Sequence, residues 1–270
     1  AAVAFYFAIE LEKHGIAGSQ LRAMVFLLIA VTVLSAGLTG SFVAKLLGLK
    51  RQSEFGWVIL GANAIGRKLA KSLQDGGEDV VIIDTNPSLC RLAEKDDLKV
   101  IYGNGLEEHI LLRAEIDIRK GAIGLSENEE VNMLFAQRVK EEGKVPETFI
   151  SIKRDDEGVT ADMVAEVGGN IPFSRARDLE KWSVWIRRNQ VATISLICQS
   201  EDEVSAGNVF GKETEGVLIP LTSTRNTKAI PLGHLTKLKK DDQITCLVHA
   251  EKMELFNTWL ASSVFTIAPD

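Results

Sequence analysis

The chain is short of the groups from which metal centres and many active sites are assembled: among 270 residues there are three cysteines, four histidines and two tyrosines. Cys90, Cys198 and Cys246 lie far apart and fall in no Cys-x-x-Cys or Cys/His spacing. They imply neither a zinc site nor a disulfide framework and read as small core residues in a reducing compartment. His14, His109, His234 and His249 are equally scattered, whereas metal ligands cluster. No Ser/His/Asp constellation and no Tyr-x-x-x-Lys step is present, so the proton donor that hydride transfer needs is missing and the expectation is a protein that is not an enzyme. Glycine and proline together number 28, too few for a collagen-like or low-complexity chain. Cations are in deficit as well, 31 Lys and Arg against 37 Asp and Glu, which argues against a nucleic-acid partner because phosphate binding draws on a cation surplus.

What is present divides unevenly. Residues 1–50 carry four cations (Lys13, Arg22, Lys45, Lys50) and two anions (Glu10, Glu12), a net of +2, which leaves 27 against 35 and a net of −8 for residues 51–270. The head is apolar, with 22 residues from 23 to 44 free of charge. At about 1.5 Å per helical residue such a run spans the roughly 30 Å hydrocarbon layer, and it is too long for the apolar core of a secretory signal. It is therefore expected to be a transmembrane helix. The apolar stretch AAVAFYFAI before it starts without a methionine and is expected to be the C-terminal half of a preceding span, so that the chain begins inside a membrane helix. Lys45, Lys50 and Arg51 follow the run, and the positive-inside bias places the body in the cytoplasm.

Beyond a polar linker at 50–54, apolar runs of four to seven residues alternate with amphipathic stretches of ten to fifteen, the pattern of a parallel sheet with helical crossovers. Strands are expected at 56–60, 79–84, 99–102, 121–125 and 148–153, with a weaker sixth at 170–173. Helices are expected at 64–74, 87–95, 106–115, 128–140 and 160–167. Residues 176–190 read as an amphipathic helix whose Trp182, Trp185 and Ile186 stripe suits either core packing or a dimer crossover. After residue 190 the pattern changes to strands at 191–198, 217–222, 228–231 and 243–248, then a helix at 252–261. The expected organisation is a membrane segment at 1–49, a doubly wound α/β domain at 55–168, a crossover helix at 169–190 and a small α+β domain at 191–270.

The chemistry concentrates in VILGANAIGR, residues 58–67, a strand running into a glycine turn that opens a helix. In dinucleotide folds the first glycine makes the turn, the second lets a pyrophosphate approach and the third lets helix pack on strand. Gly61 and Gly66 hold the first and third places, but Asn63 stands at the second. Its side chain either narrows the approach or offers a donor to a phosphate. Arg67 either adds charge at the phosphates or is solvated. Asp84 ends the second strand 18 residues after Gly66, where a carboxylate accepts ribose hydroxyls or caps the next helix. The third strand runs into Gly103-Asn104-Gly105 and the fourth into Ser126-Glu127-Asn128, all on the carboxyl edge where doubly wound folds bind ligands.

The segments VILGANAIGRKLAKSLQDGGEDVVIIDTN, VIYGNGLEEHIL, GAIGLSENEEVNMLFAQRVKE and FISIKR resemble the RCK, or TrkA-N, nucleotide-binding domain that regulates potassium channels and cation:proton antiporters. The resemblance implies a Rossmann-like sheet, with Gly61, Asn63, Ala64, Ile65, Gly66 and Arg67 at the phosphates, and Asp84, with Thr85 beside it, at the ribose. It further implies Asn104, Gly105 and Leu106 near the adenine, Ser126, Glu127 and Asn128 near the rest of the nucleotide, and Lys153 or Arg154 facing phosphates. NAD(H) or another adenine nucleotide such as AMP or ATP is the implied regulatory ligand. Residues 215–261 resemble the TrkA-C domain, and the head resembles the last two helices of a NhaP-type sodium:proton antiporter. Together these imply the regulatory end of a multi-pass inner-membrane antiporter for sodium or potassium and protons, acting as a homodimer. A potassium-channel regulator and a membrane-tethered NAD-dependent oxidoreductase are the alternatives.

Overall fold

The computed structural model describes residues 6, 18–46, 55–154 and 158–269. The chain divides into two compact units, residues 1–52 and 53–270. The first unit contains α1 (Gly18–Leu46), a helix of 29 residues. Met24, Phe26, Leu27, Leu28, Val31, Val33 and Leu34 are all exposed on it, whereas Val25 is buried and Ile29 half-buried on the remaining side. Its hydroxyls are turned back on its own carbonyls: Thr32 Oγ1 donates to Leu28 O and Ile29 O at 2.9 Å, and Thr39 Oγ1 to Ser35 O at 2.6 Å. Taken over the described residues, no helix is long and apolar enough to cross a membrane. The expected transmembrane helix at 23–44 is therefore not supported among the described residues. The earlier apolar stretch, apart from Tyr6, and the linker lie outside the described residues.

The second unit opens with five parallel strands, β1 (Trp57–Leu60), β2 (Val80–Asp84), β3 (Lys99–Tyr102), β4 (Gly121–Gly124) and β5 (Glu147–Ile150), in spatial order β3-β2-β1-β4-β5. The crossovers are α2 (Ala64–Asp75), α3 (Pro87–Lys95), α4 (Glu108–Arg113) and α5 (Glu129–Gly143). Every residue of β1 and β4 is buried, which is why these strands read as continuous apolar runs. Alternation still sorts the faces: Trp57 and Ile59 join a core with Leu69 and Leu73 of α2, and Val58 and Leu60 join one with Leu111 of α4 and Phe135 of α5. The order reverses between β1 and β4, so the crevice outside their carboxyl ends is where such a fold holds a ligand.

Two further helices, α6 (Ala161–Glu166) and α7 (Leu179–Arg187), lead to an antiparallel sheet. Its strands are β6 (Val191–Cys198), β8 (Leu218–Arg225), β9 (Lys228–Pro231), β11 (Gln243–His249) and β12 (Phe265–Ile267), in the order β12-β6-β11-β8-β9. β7 (Val204–Ser205) and β10 (Lys237–Leu238) form a separate pair, and α8 (Met253–Ser262) covers a second core containing Phe210, Phe256 and Trp259. Ile219, Leu221, Ala229 and Leu247 of the antiparallel sheet belong to the same core as β1 and α2. Ser72 Oγ of α2 lies 2.6 Å from Thr222 Oγ1 of β8. Trp182 is buried in that shared core and meets Trp185 edge to face at 5.1 Å. Of the two readings of this tryptophan stripe, the structure realises core packing for Trp182.

The weak strand expected at 170–173 is instead a stitch between the sheets. Asn170 bridges Phe149 of β5 and Pro172 bridges Gly233. Phe173 N–H donates to Leu232 O at 2.6 Å and His234 N–H to Ile171 O at 2.8 Å. A strand does not persist because the segment changes partner after two residues. β12, at three residues, is too short to show a period of two and was not expected.

Candidate functional site

The carboxyl ends of the five parallel strands are laced together in spatial order. Gly103 N–H donates to Asp84 O at 3.0 Å, Gly61 N–H to Ile83 O at 2.9 Å, Leu125 N–H to Leu60 O at 2.8 Å and Ser151 N–H to Gly124 O at 3.0 Å. Segments far apart in sequence, from the glycine turn through Asp84, Asn104 and Ser126 to Lys153, therefore share one edge.

The turn has the backbone its glycines require. Gly61 has φ +117°, and a Cβ there would sit 2.8 Å from Leu125 O. A Cβ on Gly66 would sit 2.1 Å from Gly61 O, so only glycine lets α2 start this close to β1. Asn63 is the N-cap of α2: Oδ1 accepts from Gly66 N–H at 2.9 Å while Nδ2 donates to Leu125 O at 2.6 Å. Both ends of its amide are committed within the protein and the residue is buried. Of the two roles considered for it, the side chain does narrow the approach, while one of its two Nδ2 hydrogens is left over by the bond to Leu125 O. The donors available to an anion are peptide N–H groups of the first turn of α2, which lack intrahelical partners, beginning at Ala64 and Ile65. No acidic side chain in that turn opposes an anion.

Asp84 is aimed at the turn. Its Oδ2 accepts from Ala62 N–H at 2.6 Å and its Oδ1 from Asn86 N–H at 2.7 Å. Asn86, not Asp84, caps α3, with Oδ1 accepting from Ser88 N–H at 2.9 Å. Each Asp84 oxygen keeps a lone pair, so the carboxylate can accept two hydroxyls of a vicinal diol. Thr85 is exposed beside it. Arg67 departs from both expectations: Nε donates to Asp96 Oδ2 at 2.8 Å and Nη1 to Ala62 O at 2.7 Å. The guanidinium braces the turn against the end of α3.

Farther along the edge, Gly105 is buried against Leu60, Leu106 is half-buried, and Asn104 is exposed with Oδ1 accepting from Leu106 N–H at 3.0 Å. Glu127 and Asn128 are exposed, and Asn128 caps α5 through Val131 N–H at 2.9 Å. Glu127, Asn128, Lys153, Arg154 and Asp178 line a cleft of about 620 Å³ outside β4 and β5. Gly61, Gly66 and Asp84 lie on the same edge outside the walls of that cleft.

Three residues that the sequence did not single out by number organise this end. Asn132, 1% exposed, accepts at Oδ1 from Ser126 N–H at 2.8 Å and from Ser126 Oγ at 2.7 Å, and donates from Nδ2 to Ser126 O and Ser151 O at 3.1 Å. The signal was there, because a polar residue sits on the core stripe of α5 with Phe135, Ala136 and Val139. Glu129 holds the turn after β5, accepting from Lys153 N–H and, at 3.3 Å, from Val159 N–H. Arg177 is buried, its N–H donating to Ile152 O at 3.0 Å and its Nη2 to Thr214 Oγ1 at 3.2 Å. Burial, and then Arg175, push its guanidinium down to about 10, which leaves it charged at neutral pH. Cys90, Cys198 and Cys246 are buried free thiols, and burial raises the pKa of each.

Residues 57–170 match the family model of the TrkA-N domain, so the chain carries a TrkA-N domain from β1 to the stitch at Asn170. The match ends there, before the region that resembles TrkA-C, and it starts after the head. Among curated proteins, the Trk system potassium uptake protein TrkA of Haemophilus influenzae is 31% identical over 81 residues, 30% of this chain and 18% of that protein. The TrkA homolog of Methanothermobacter thermautotrophicus is 31% identical over 100 residues, 37% of this chain and 46% of that protein. The chain thus spans less than half the length of either relative. Among solved structures, the TrkA-N domain of the inner membrane protein ybaL from Escherichia coli aligns over 50% of this chain and 95% of its own, with 16% identity and a TM-score of 0.40.

Proposed function

We propose that the chain is a nucleotide-sensing regulatory region of a monovalent cation transport system. The observation that carries this reading is the Asp84 carboxylate held at 2.6 Å on the peptide N–H of Ala62, inside the glycine turn of a TrkA-N domain. That arrangement offers peptide N–H groups and a helix N-terminus to a phosphate, and a carboxylate to a ribose diol, a few ångströms apart. The ligand is NAD(H) or another adenine nucleotide, AMP or ATP. The residues present fit it, with Asn63 tightening the turn so that phosphates meet backbone N–H groups. The N–H groups of Ala64 and Ile65 bind phosphate oxygens, Gly66 lets the helix start close enough for them to do so, Asp84 orients the ribose, Asn104 to Leu106 flank the adenine, and Ser126 to Asn128 with Lys153 or Arg154 receive the remainder. On this reading the role is regulatory rather than enzymatic. The ligand biases transport only through a difference in affinity between two arrangements of the region, about 1 to 3 kcal/mol in typical couplings.

The apolar exterior of α1 supports a chain joined to membrane-embedded parts of its transporter. On this reading α1 and the stretch before it end the membrane domain of a sodium or potassium:proton antiporter in the inner membrane, with the acidic body in the cytoplasm, working as a homodimer. A second reading, the regulatory region of a potassium channel or uptake system, is favoured by the two relatives named as potassium uptake proteins. Acridine orange dequenching in everted vesicles that hold the intact gene product separates the two. Dequenching on addition of sodium or potassium supports antiport, and electrogenic potassium flux without proton movement replaces it. Thermal shift of the detergent-solubilised chain with NAD+, NADH, AMP and ATP tests the ligand claim, which requires at least one of them to raise Tm.

A further inference from the structure

On the other side of the TrkA-N sheet's edge strand, β5, lies a recess of about 430 Å³ between β5 and the β8–β9 hairpin. Phe149, Ile230, Pro231 and Leu235 give it an apolar floor, and Arg225, Lys228 and Lys237 a basic rim. The rim is arranged for an anion. Arg225 and Lys228 stand directly opposite each other in the strand pairing, a placement of like charges that costs stability unless something negative lies between them. Arg225, though exposed, is held in place, with Nε donating to Asp242 Oδ1 at 2.6 Å and Nη2 to Asp242 Oδ2 and Lys237 O. Asp242 is 1% exposed and also accepts from Lys239 N–H at 2.8 Å. The fork is thereby preorganised, with Nη1 outside these bonds and available to a planar oxyanion.

Three acids, Asp242, Glu203 and Glu147, stand beside the three cations of the rim. Asp242 neutralises Arg225, Glu203 pairs with Lys237 at 3.0 Å, and Lys228 makes no ion pair among the described residues. The acid in the recess is Glu147, whose carboxyl is raised by burial against the opposing pull of Lys120. Asn226 and Thr227, with φ of +50° and +67°, form the two-residue turn that joins β8 to β9, whose geometry calls for positive φ at both positions.

We propose that this recess is a second ligand site, distinct from the nucleotide edge, for a small organic anion that carries a phosphate or carboxylate on a flat apolar body. The oxyanion lies between Arg225 and Lys228, and the apolar body covers Phe149, Ile230 and Leu235. A ligand seated there touches both sheets and strengthens the stitch formed by Asn170.

Calorimetry and NMR titration of the full chain with phenyl phosphate and with inorganic phosphate test this. Phenyl phosphate binds, and inorganic phosphate binds about tenfold more weakly, the equivalent of burying one ring face. Lys228→Gln, a substitution at an exposed hairpin position that leaves the fold intact, weakens phenyl phosphate about tenfold, and Arg225→Gln abolishes it. Asp84→Ala leaves it unchanged, which separates this site from the nucleotide edge. Absence of phenyl phosphate binding, equal binding of the two probes, indifference to Lys228→Gln, or loss in Asp84→Ala would each overturn the assignment.

Discussion

The two five-stranded sheets of the second unit differ in what their geometry does with chain ends. In the parallel sheet every strand ends at the same edge, so the turns after β1, β2, β3, β4 and β5 converge and their polar residues meet. In the antiparallel sheet strand ends alternate, and its polar residues are dispersed into pairs such as Arg225–Asp242. The difference explains why the residues proposed to hold a nucleotide cluster at one place. It also explains why the antiparallel sheet contributes mainly apolar area to a shared core, through Ile219, Leu221 and Leu247.

Substitutions sort by which side of this contrast they strike. Trp182→Ala removes a large buried ring from the core that both sheets share and is expected to cost about 3 to 5 kcal/mol. Urea unfolding of the variant should stay a single transition by far-UV circular dichroism and by tryptophan fluorescence. Two separated transitions would break the picture of one core. Gly66→Ala drives a Cβ into Gly61 O at 2.1 Å. It should cost about 3 kcal/mol of overpacking, confined to the parallel sheet and visible as lost amide-exchange protection in α2. Asn132→Ala leaves Ser126 N–H and two carbonyls without partners and should cost about 2 kcal/mol in chemical denaturation, with the turns after β4 and β5 loosened together.

The smallest effect tests the opposite, amino edge. Burial works against ionisation of Asp79, yet Lys99 and Arg119 outweigh it and hold the carboxyl below its ordinary value. A depressed carboxylate contributes stability that is complete above the unfolded value, about 3.9, and is lost as pH falls below it. Stability should therefore decline on acidification below about pH 4 more steeply in the wild type than in Asp79→Asn. Equal slopes would remove Asp79 from the account.

Much of this contrast is legible in the sequence. The parallel strands announce themselves as apolar runs, and the glycine turn and Asp84 fix which edge matters. Side-chain commitments were not legible. Whether Asn63 faces a ligand depends on Leu125 O, 62 residues away, lying 2.6 Å from its amide. Whether Arg67 is free depends on Asp96 at the far end of α3. The stitch at 170–173 was mistaken for a strand because two short pairings with different partners look, in one dimension, like one apolar run. The shared core was hidden for the same reason: Trp182 shows amphipathicity but not which sheet it meets.

The most direct test of the central claim is isothermal titration of the full chain and of Asp84→Ala, each with NAD+, NADH, AMP and ATP. The account predicts saturable binding of at least one adenine nucleotide by the wild type. It also predicts a loss of at least about tenfold in Asp84→Ala, the worth of a charge-assisted bond to the ribose. Absence of binding by all four, or equal affinity in Asp84→Ala, would contradict it.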